Sequence, residues 1–563
     1  MELHLFERWL PPQVPPLIAI HLQWNDEARQ FGTLNTHTIS IEFSCVEKLA
    51  AEFVGFLRVW RHARRPTMTS RPPLSVLVAN VLVAWIVTAL IVPNNVSAQD
   101  EAPTPVTEAS TIRLAKFDVD ATPTVGSMMA YDRVKRVEEM TLRARGIVLL
   151  GADDPIVLCA VDWIGIGNEG HDQFRSRLAA AAGTTPERVA VHTLHQHDAP
   201  RCDFTAERLV NEAGKSDLGP YDSSLAREVL NRLSDAVKEG INGATEVTHA
   251  GWGSAEVKDV ASNRRLQDET GKVIATRYTA CRDPKMIAAP VGTIDPELTS
   301  LTFFNGDKAL AVITHYACHP QSYYRTGVPS PDFPGLARFI RGQARPNVLH
   351  VHFNGAGGNI GAGKYNDGSP ANRMRLAHRV ADAMEEAADN TTKFAITTDD
   401  IDWTFTPVSL PPAPHLDADT LRQKLGDWNT TDYWGSPDDL AWLLRCQNGH
   451  KVELSCLSIA DVRLLHMPGE LFVEYQLAAK AMRPDLKIAM AAYGDYGPGY
   501  IGTEEAYGQG GYETSQRASK VAPEVESVLM DGVRELLEVN AEESVEEPTV
   551  ETETSASVEV ETR

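Results

Sequence analysis

The chain has 563 residues, 43% hydrophobic and 23% charged, an ordinary globular composition long enough for more than one domain. Its formal charge of −23 argues against a nucleic-acid binder. Gripping phosphates takes clustered Lys and Arg, and the main body has no such cluster.

The N-terminal stretch predicts export. Residues 1–67 are patchy and Pro-punctuated, and they end in Arg61-His-Ala-Arg-Arg65. They read as a mis-extended start or an unusual leader. Met68 then opens a basic n-region, an apolar run from Leu74 to Val92 and a small-residue cleavage site ending at Ala98. That pattern is a signal peptide. Its apolar run is also long enough to act as an uncleaved membrane tether through 74–92. The expected location is secreted or periplasmic, anchored if the segment stays. Residues 99–112 read as a polar linker. Six of the seven cysteines lie beyond the signal. Cys446 with Cys456, and Cys202 with Cys281, are candidate pairs for bridges in an oxidising compartment. No Cys-x-x-Cys occurs, which argues against a Cys-type structural zinc site.

The main body, 113–539, alternates strands and helices. Ile156 to Asp162 is an apolar strand. Asp172 to Ala182 is a helix with Phe174, Leu178 and Ala182 on one face. Ser223 to Gly240 repeats Leu225, Val229, Leu233 and Val237 at i+4. Glu246 to Val260 reads as strand. Further helices are expected at 335–343 and 371–387, and a last one at about Pro523 to Val539. Near-continuous apolar strands between helices predict an α/β fold, a mixed sheet core flanked by helices, with a metal site at strand ends. Residues 400–455, rich in Pro and Trp, read as an irregular insertion. Residues 540–563 read as a disordered acidic tail.

Four segments carry candidate chemistry. Arg188 to Pro200 runs as a strand into His195-Gln-His197-Asp-Ala-Pro. Alternation along a strand puts Val189, Val191, Thr193, His195 and His197 on one face, with His192 and Gln196 on the other. Such a strand end offers a divalent ion one imidazole and a second beside it; the plain alternative is a polar strand end with surface histidines. Leu310 to Pro320 similarly aligns His315, Ala317 and His319, where core or surface packing is the plain alternative. Val348 to Lys364 is a strand entering a glycine-rich turn, neither a P-loop nor a dinucleotide fingerprint. Ala460 to Glu470 is a strand and turn, with Glu470 opening a helix through Ala481, a favourable place for a carboxylate regardless of function. Ile488 to Tyr507 is a final strand with an aromatic, glycine-rich loop.

The order of these segments resembles the catalytic domain of the neutral, non-lysosomal ceramidase family. The resemblance runs over Arg113 to Gln516. It rests on His195-Gln-His197 before Pro200, Cys318-His319-Pro320, Pro468-Gly-Glu470, and Tyr500-Ile-Gly-Thr503 with Glu504-Glu-Ala-Tyr507 beyond it. Ser262-Asn-Arg264 and Val291-Gly-Thr-Ile-Asp-Pro-Glu-Leu298 add to it. The resemblance implies one zinc ion held by His195, His319, Glu470 and Tyr500. It implies that His197 assists catalysis beside the metal and that Arg264 contacts substrate. Tyr512, in the aromatic stretch that follows, joins them as a third candidate catalytic residue. Three departures stand out. Gly355-Ala-Gly-Gly-Asn359 occupies the place of a serine-bearing motif in the family, Asp198-Ala-Pro200 stands where the family has Ser-Gly-Pro after His-x-His, and the chain ends soon after the catalytic region. Metallo-β-lactamases also begin on His-x-His, but they continue with Asp-His, which Asp198-Ala-Pro200 lacks.

The expected function is an exported zinc-dependent hydrolase of an amide or ester bond, with a water activated by the ion as nucleophile. The substrate is expected to be a small or lipid-like acyl compound, with ceramide cleaved poorly. The glycine turn is expected to open space beside the metal and offer N–H groups to an oxyanion. Tyr493, Tyr496, Tyr507 and Tyr512 are expected to line a wide polar mouth. The competing class is a non-catalytic exported binding protein that keeps the fold and a metal.

Overall fold

Three mixed sheets are built on one plan: an antiparallel hairpin, a helix, then a strand returning parallel to the hairpin's second strand. A hairpin closes through a short turn, whereas a parallel return needs a longer crossover, which the helix supplies. In the first sheet the hairpin is Arg143–Gly151 with Asp153–Val161, the helix is Glu169–Ala182 and the returning strand is Val189–Thr193. In the second these are Glu297–Asn305 with Lys308–Tyr316, then Asp332–Ala344, then Leu349–Asn354. In the third they are Val452–Ile459 with Val462–His466, then Val473–Met482, then Lys487–Ala491. Arg113–Asp120 and Thr245–Glu246 extend the first sheet, His249–Glu256 and Thr392–Ala395 the second, and Ile401–Val408 the third. This computed structural model describes residues 111–429 and 435–539, within the unit Pro105–Arg563. The leader, the signal segment with its 74–92 tether, most of the linker and the acidic tail lie outside the described residues. No described helix is long and apolar enough to cross a membrane.

The inner faces of the three sheets share one core. Leu158 and Ile147 of the first meet Leu301, Ile313 and Val351 of the second and Leu457, Leu464 and Ala489 of the third. Helices cover the outer faces. Val229, Leu233 and Val237 of Ser224–Asn242 pack on the first sheet. Leu376, Val380 and Met384 of Pro370–Asp389 pack on the second, and Val525, Leu529 and Val533 of Val525–Leu536 pack on the third. Each such side chain contributes about 1.5–3 kcal/mol when fully buried. The returning strands of the three sheets meet at their carboxyl ends. Thr193 N–H donates to Tyr493 O at 2.9 Å, and Ala492 N–H donates to Asn354 O at 3.0 Å. Carboxyl ends of parallel strands are where α/β sheets bind ligands.

Several expectations change. The described residues of 401–459 form regular elements: a strand of the third sheet at each end, with helices Ala418–Asp427 and Ser436–Gln447 between them. Pro and Trp disguised this. Pro437 sits in the first turn of its helix, where it is tolerated, and Trp442 is core. Cys159, Cys202, Cys281, Cys318, Cys446 and Cys456 are all free thiols, so neither candidate bridge is present. The strand expected over Glu246 to Val260 breaks into Thr245–Glu246, on the first sheet, and His249–Glu256, on the second.

Candidate metal centre

The candidate histidines sit just beyond the ends of strands. His195 and His197 follow Val189–Thr193, and His319 follows Lys308–Tyr316. Strand alternation does not align the first two, because the strand stops at Thr193 and His195 is left-handed, with φ 65°. A non-glycine residue there costs about 1–3 kcal/mol. The turn is held by His195 N–H, which donates to Trp163 O at 2.9 Å. His315 stays within the sheet, buried with both ring nitrogens unpartnered and its ring stacked on Phe353. It is a core histidine.

Glu470 does not open a helix. Glu470–Leu471 is a short strand paired in parallel with Tyr500–Ile501, in register Glu470 to Tyr500; the helix begins at Val473. That register sets the carboxylate and the phenol side by side. Gly469, at φ 62°, makes the turn into it, a conformation that glycine adopts without steric penalty.

The four side chains implied by the resemblance converge. His195 Nε2 lies 3.2 Å from His319 Nε2. Glu470 Oε2 lies 3.1 Å from His195 Nε2 and 3.4 Å from His319 Nε2. Tyr500 OH lies 3.4 Å from His319 Nε2. His195 Nδ1 is 2.6 Å from Ile164 O, and His319 Nδ1 is 3.1 Å from Gly357 O. A carbonyl only accepts, so both Nδ1 atoms carry the proton and both Nε2 atoms present lone pairs. Two lone pairs and a carboxylate oxygen thus face each other in a buried site, and Glu470 Oε2 has no hydrogen-bond donor. A proton on His195 relieves one of these contacts; a cation among them relieves all. Donors about 2.0–2.1 Å from one tetrahedral ion stand about 3.3–3.4 Å apart, close to the spacings here. The residues present therefore fit a zinc-like ion.

His197 completes a tight group. Its Nε2 is 3.3 Å from His195 Nε2, and one ligand atom from each of His195, His197 and His319 lies within 4.8 Å of the others, a set able to hold a metal. Unlike the other two, His197 is half-buried. It faces the cavity and is flanked by Tyr131, with ring centroids 5.5 Å apart, and Tyr324, at 5.3 Å. Burial, then the neighbouring His195, Arg264 and Arg325, push its imidazole well below the ordinary value, so it is neutral. Burial alone would raise the Glu470 carboxyl. His195, the Tyr496 hydroxyl and Arg264 outweigh it and hold the group below its ordinary value. Burial raises the Tyr500 phenol, with Arg264 opposing and Glu470 reinforcing. A cation beside it would reverse that balance.

Further residues buttress the group. Arg264 donates to Tyr500 OH at 2.8 Å and to Glu513 Oε1 at 2.7 Å. Tyr496 OH donates to Glu470 Oε1 at 2.8 Å, and Tyr493 stacks on His195 at 4.7 Å. Neither tyrosine lines the mouth, and Tyr507 OH instead pairs with Ser519 Oγ. Of the four tyrosines expected there only Tyr512 borders the cavity, with Tyr131, Tyr278, Tyr323 and Tyr324. Glu513, adjacent to Tyr512, was within reach of sequence reasoning. Tyr131 and Tyr324 lie in irregular loops that carry no pattern.

The glycine turn opens no space. A Cβ on Gly358 would lie 2.3 Å from Glu470 O, and one on Gly357 would lie 3.1–3.2 Å from the Cys318 and His319 backbone. Three of its amides are engaged as well. Gly355 N–H donates to Tyr316 O and Gly358 N–H to Leu471 O, while Ala356 N–H donates to Gln476 Oε1. The turn clamps the two ligand-bearing segments together.

No family profile matches the chain, and no curated protein matches it. Among solved structures it is similar to a ceramidase complexed with C2, at 15% identity and a TM-score of 0.54, over 76% of this chain and 76% of that one. It is also similar to the neutral ceramidase from Pseudomonas aeruginosa, at 18% identity and a TM-score of 0.54, over 77% of this chain and 75% of that one. The chain has the neutral-ceramidase fold.

Proposed function

We propose that the protein is a metal-dependent hydrolase of an amide or ester bond in an acyl substrate, with His195, His319, Glu470 and Tyr500 holding one zinc-like ion. The observation that carries this reading is the buried meeting of His195 Nε2, His319 Nε2 and Glu470 Oε2 with no proton donor among them. When bound, such an ion acidifies water and polarises a carbonyl. The chain's own residues do the rest. The carbonyls of Ile164 and Gly357 fix the histidine tautomers. Tyr496 and Arg264 orient Glu470 and Tyr500. His197, neutral and facing the cavity, accepts the proton from the attacking water at Nε2 and returns it to the leaving group. Tyr512 borders the same cavity 5.8 Å from the Tyr500 ring; its phenol, pushed up to about 12 by burial and Glu470, stays a hydrogen-bond donor to substrate. Export through 68–98 belongs to the same reading, and a mature N-terminus near Gln99 would bear it out.

The test is metal content with turnover. Purified protein should carry one zinc-like ion per chain. His195→Ala and Glu470→Ala should lose it, and a chelator should abolish release of acid from short acyl amides and esters. His197→Ala separates two roles: it should keep the metal and lose turnover, whereas loss of the metal would make His197 a ligand. A stoichiometric metal with no hydrolysis of any acyl compound would favour the binding-protein reading.

A further inference from the structure

We propose that the cavity in front of the candidate metal centre takes an acyl substrate bearing a carboxylate, an N-acyl amino acid in its simplest form; this rests on the hydrolase reading above. The cavity measures 720 Å³, and its lining holds Arg264, Arg282, Arg325 and Arg517 against one acid, Asp367. In a chain of net charge −23 that reversal of sign concentrates anions. Arg264 is buried and committed to Tyr500 and Glu513. The other three arginines are exposed and so form the rim. The walls are phenolic. Among the described residues no Leu, Ile, Val, Met or Phe lines the cavity, and Ala280 is the one alkyl side chain there, so a long acyl tail finds no aliphatic wall. This argues for a compact substrate rather than a long-chain one such as ceramide.

The rim stands near the chemistry. The Arg325 guanidinium lies over the rings of Tyr131 and Tyr324, at 5.3 and 5.4 Å from their centroids. Those are the two rings that flank His197. Its backbone is fixed by Arg325 N–H, which donates to Asp198 Oδ1 at 2.7 Å, Asp198 being the residue after His197. One ring layer thus separates a carboxylate-binding group from the proposed proton carrier. In an N-acyl amino acid the carboxylate is one carbon from the scissile nitrogen, which suits that separation. Guanidinium matches carboxylate through two parallel hydrogen bonds. In the reaction water adds to the acyl carbon, the C–N bond breaks, and the water's proton ends on the amine, releasing a short-chain acid such as acetic acid and an amino acid.

The experiment uses N-acetylphenylalanine and N-acetylphenylalaninamide, alike but for the carboxylate, with the zinc-loaded full chain. Binding is read by calorimetry and turnover by acetate release. The acid should bind about tenfold more tightly than the amide, and Arg325→Ala with Arg517→Ala should erase that preference in binding and in kcat/KM. Arg325→Lys should keep part of it. Equal binding of the two compounds, no binding of either, or a preference that survives the double variant overturns the inference. Selective binding of the acid without acetate release supports the anion site and overturns the hydrolase reading. Equal cleavage of both does the reverse.

Discussion

At the scale of single residues the site depends on groups that touch no substrate. Tyr496 donates to the Glu470 oxygen turned away from the histidines. Removing such a partner costs about 10–100-fold in metal affinity. Tyr496→Phe should show that loss in chelator competition with the fold intact; unchanged affinity would mean that Oε1 needs no donor. Gly358 is the second case. Its Cβ position lies 2.3 Å from the Glu470 carbonyl, so Gly358→Ala must push the ligand-bearing backbone. It should cost about 1–3 kcal/mol in urea unfolding and weaken metal binding as well. An alanine variant of full stability with normal metal content would show that the turn has slack.

At the scale of elements the sheets are tied by buried ions. Asp162, just past the first hairpin, accepts two hydrogen bonds from Arg338 on the helix Asp332–Ala344 of the second sheet, at 2.9 and 2.5 Å. Both side chains are buried. The arginine's charge, opposed by burial, is held above its ordinary range by Asp162. Breaking one partner of such a pair strands a charge and costs about 3–5 kcal/mol, whereas apolar replacement of both can be neutral. Asp162→Asn should therefore lower the denaturant midpoint far more than Asp162→Leu combined with Arg338→Met. Equal losses would mean that packing, not charge, matters there. The small ladder of Glu470 with Tyr500 is tied through Arg264, which donates to the Tyr500 hydroxyl and to the buried Glu513. Its register comes from the chain on both sides, the Gly469 turn and the pairing of Val462–His466 with Lys487–Ala491.

At the scale of the whole molecule the three sheets meet over a layer of histidines. His192 and His315 flank Phe353, and His466 stacks on Trp403. Burial pulls His192, His315 and His352 down to about 3. The unfolded values are near 6.5, so between about 3 and 6.5 the unfolded chain binds more protons and stability rises with pH. The contribution is complete above about 6.5 and is lost as pH falls towards about 3. Chelated protein should unfold at progressively lower urea between pH 7 and pH 4, and His315→Leu should flatten that slope. A midpoint constant across the window would refute the protonation account.

The sequence by itself determined the α/β class, the helices at Glu169–Ala182, Ser224–Asn242 and Pro370–Asp389, and the turns that bear the histidines, the glutamate and the tyrosine. These follow from local periodicity and from short motifs, which neighbouring residues carry. The division of the mixed sheet core into three sheets, the strands hidden at either end of 401–459 and the core role of His315 came only with the tertiary structure. So did the meeting of His195, His319, Glu470 and Tyr500. Alternation along a strand aligned His195 with His197 and His315 with His319, yet both strands end before the ligands do. What brings the site together is the junction of three strand ends, a left-handed turn at His195 and a two-residue ladder between segments thirty residues apart. Long-range register of that kind leaves no local period to read. The rings around His197 and the arginine rim arise the same way, from loops whose order in the chain says nothing about which cavity they share.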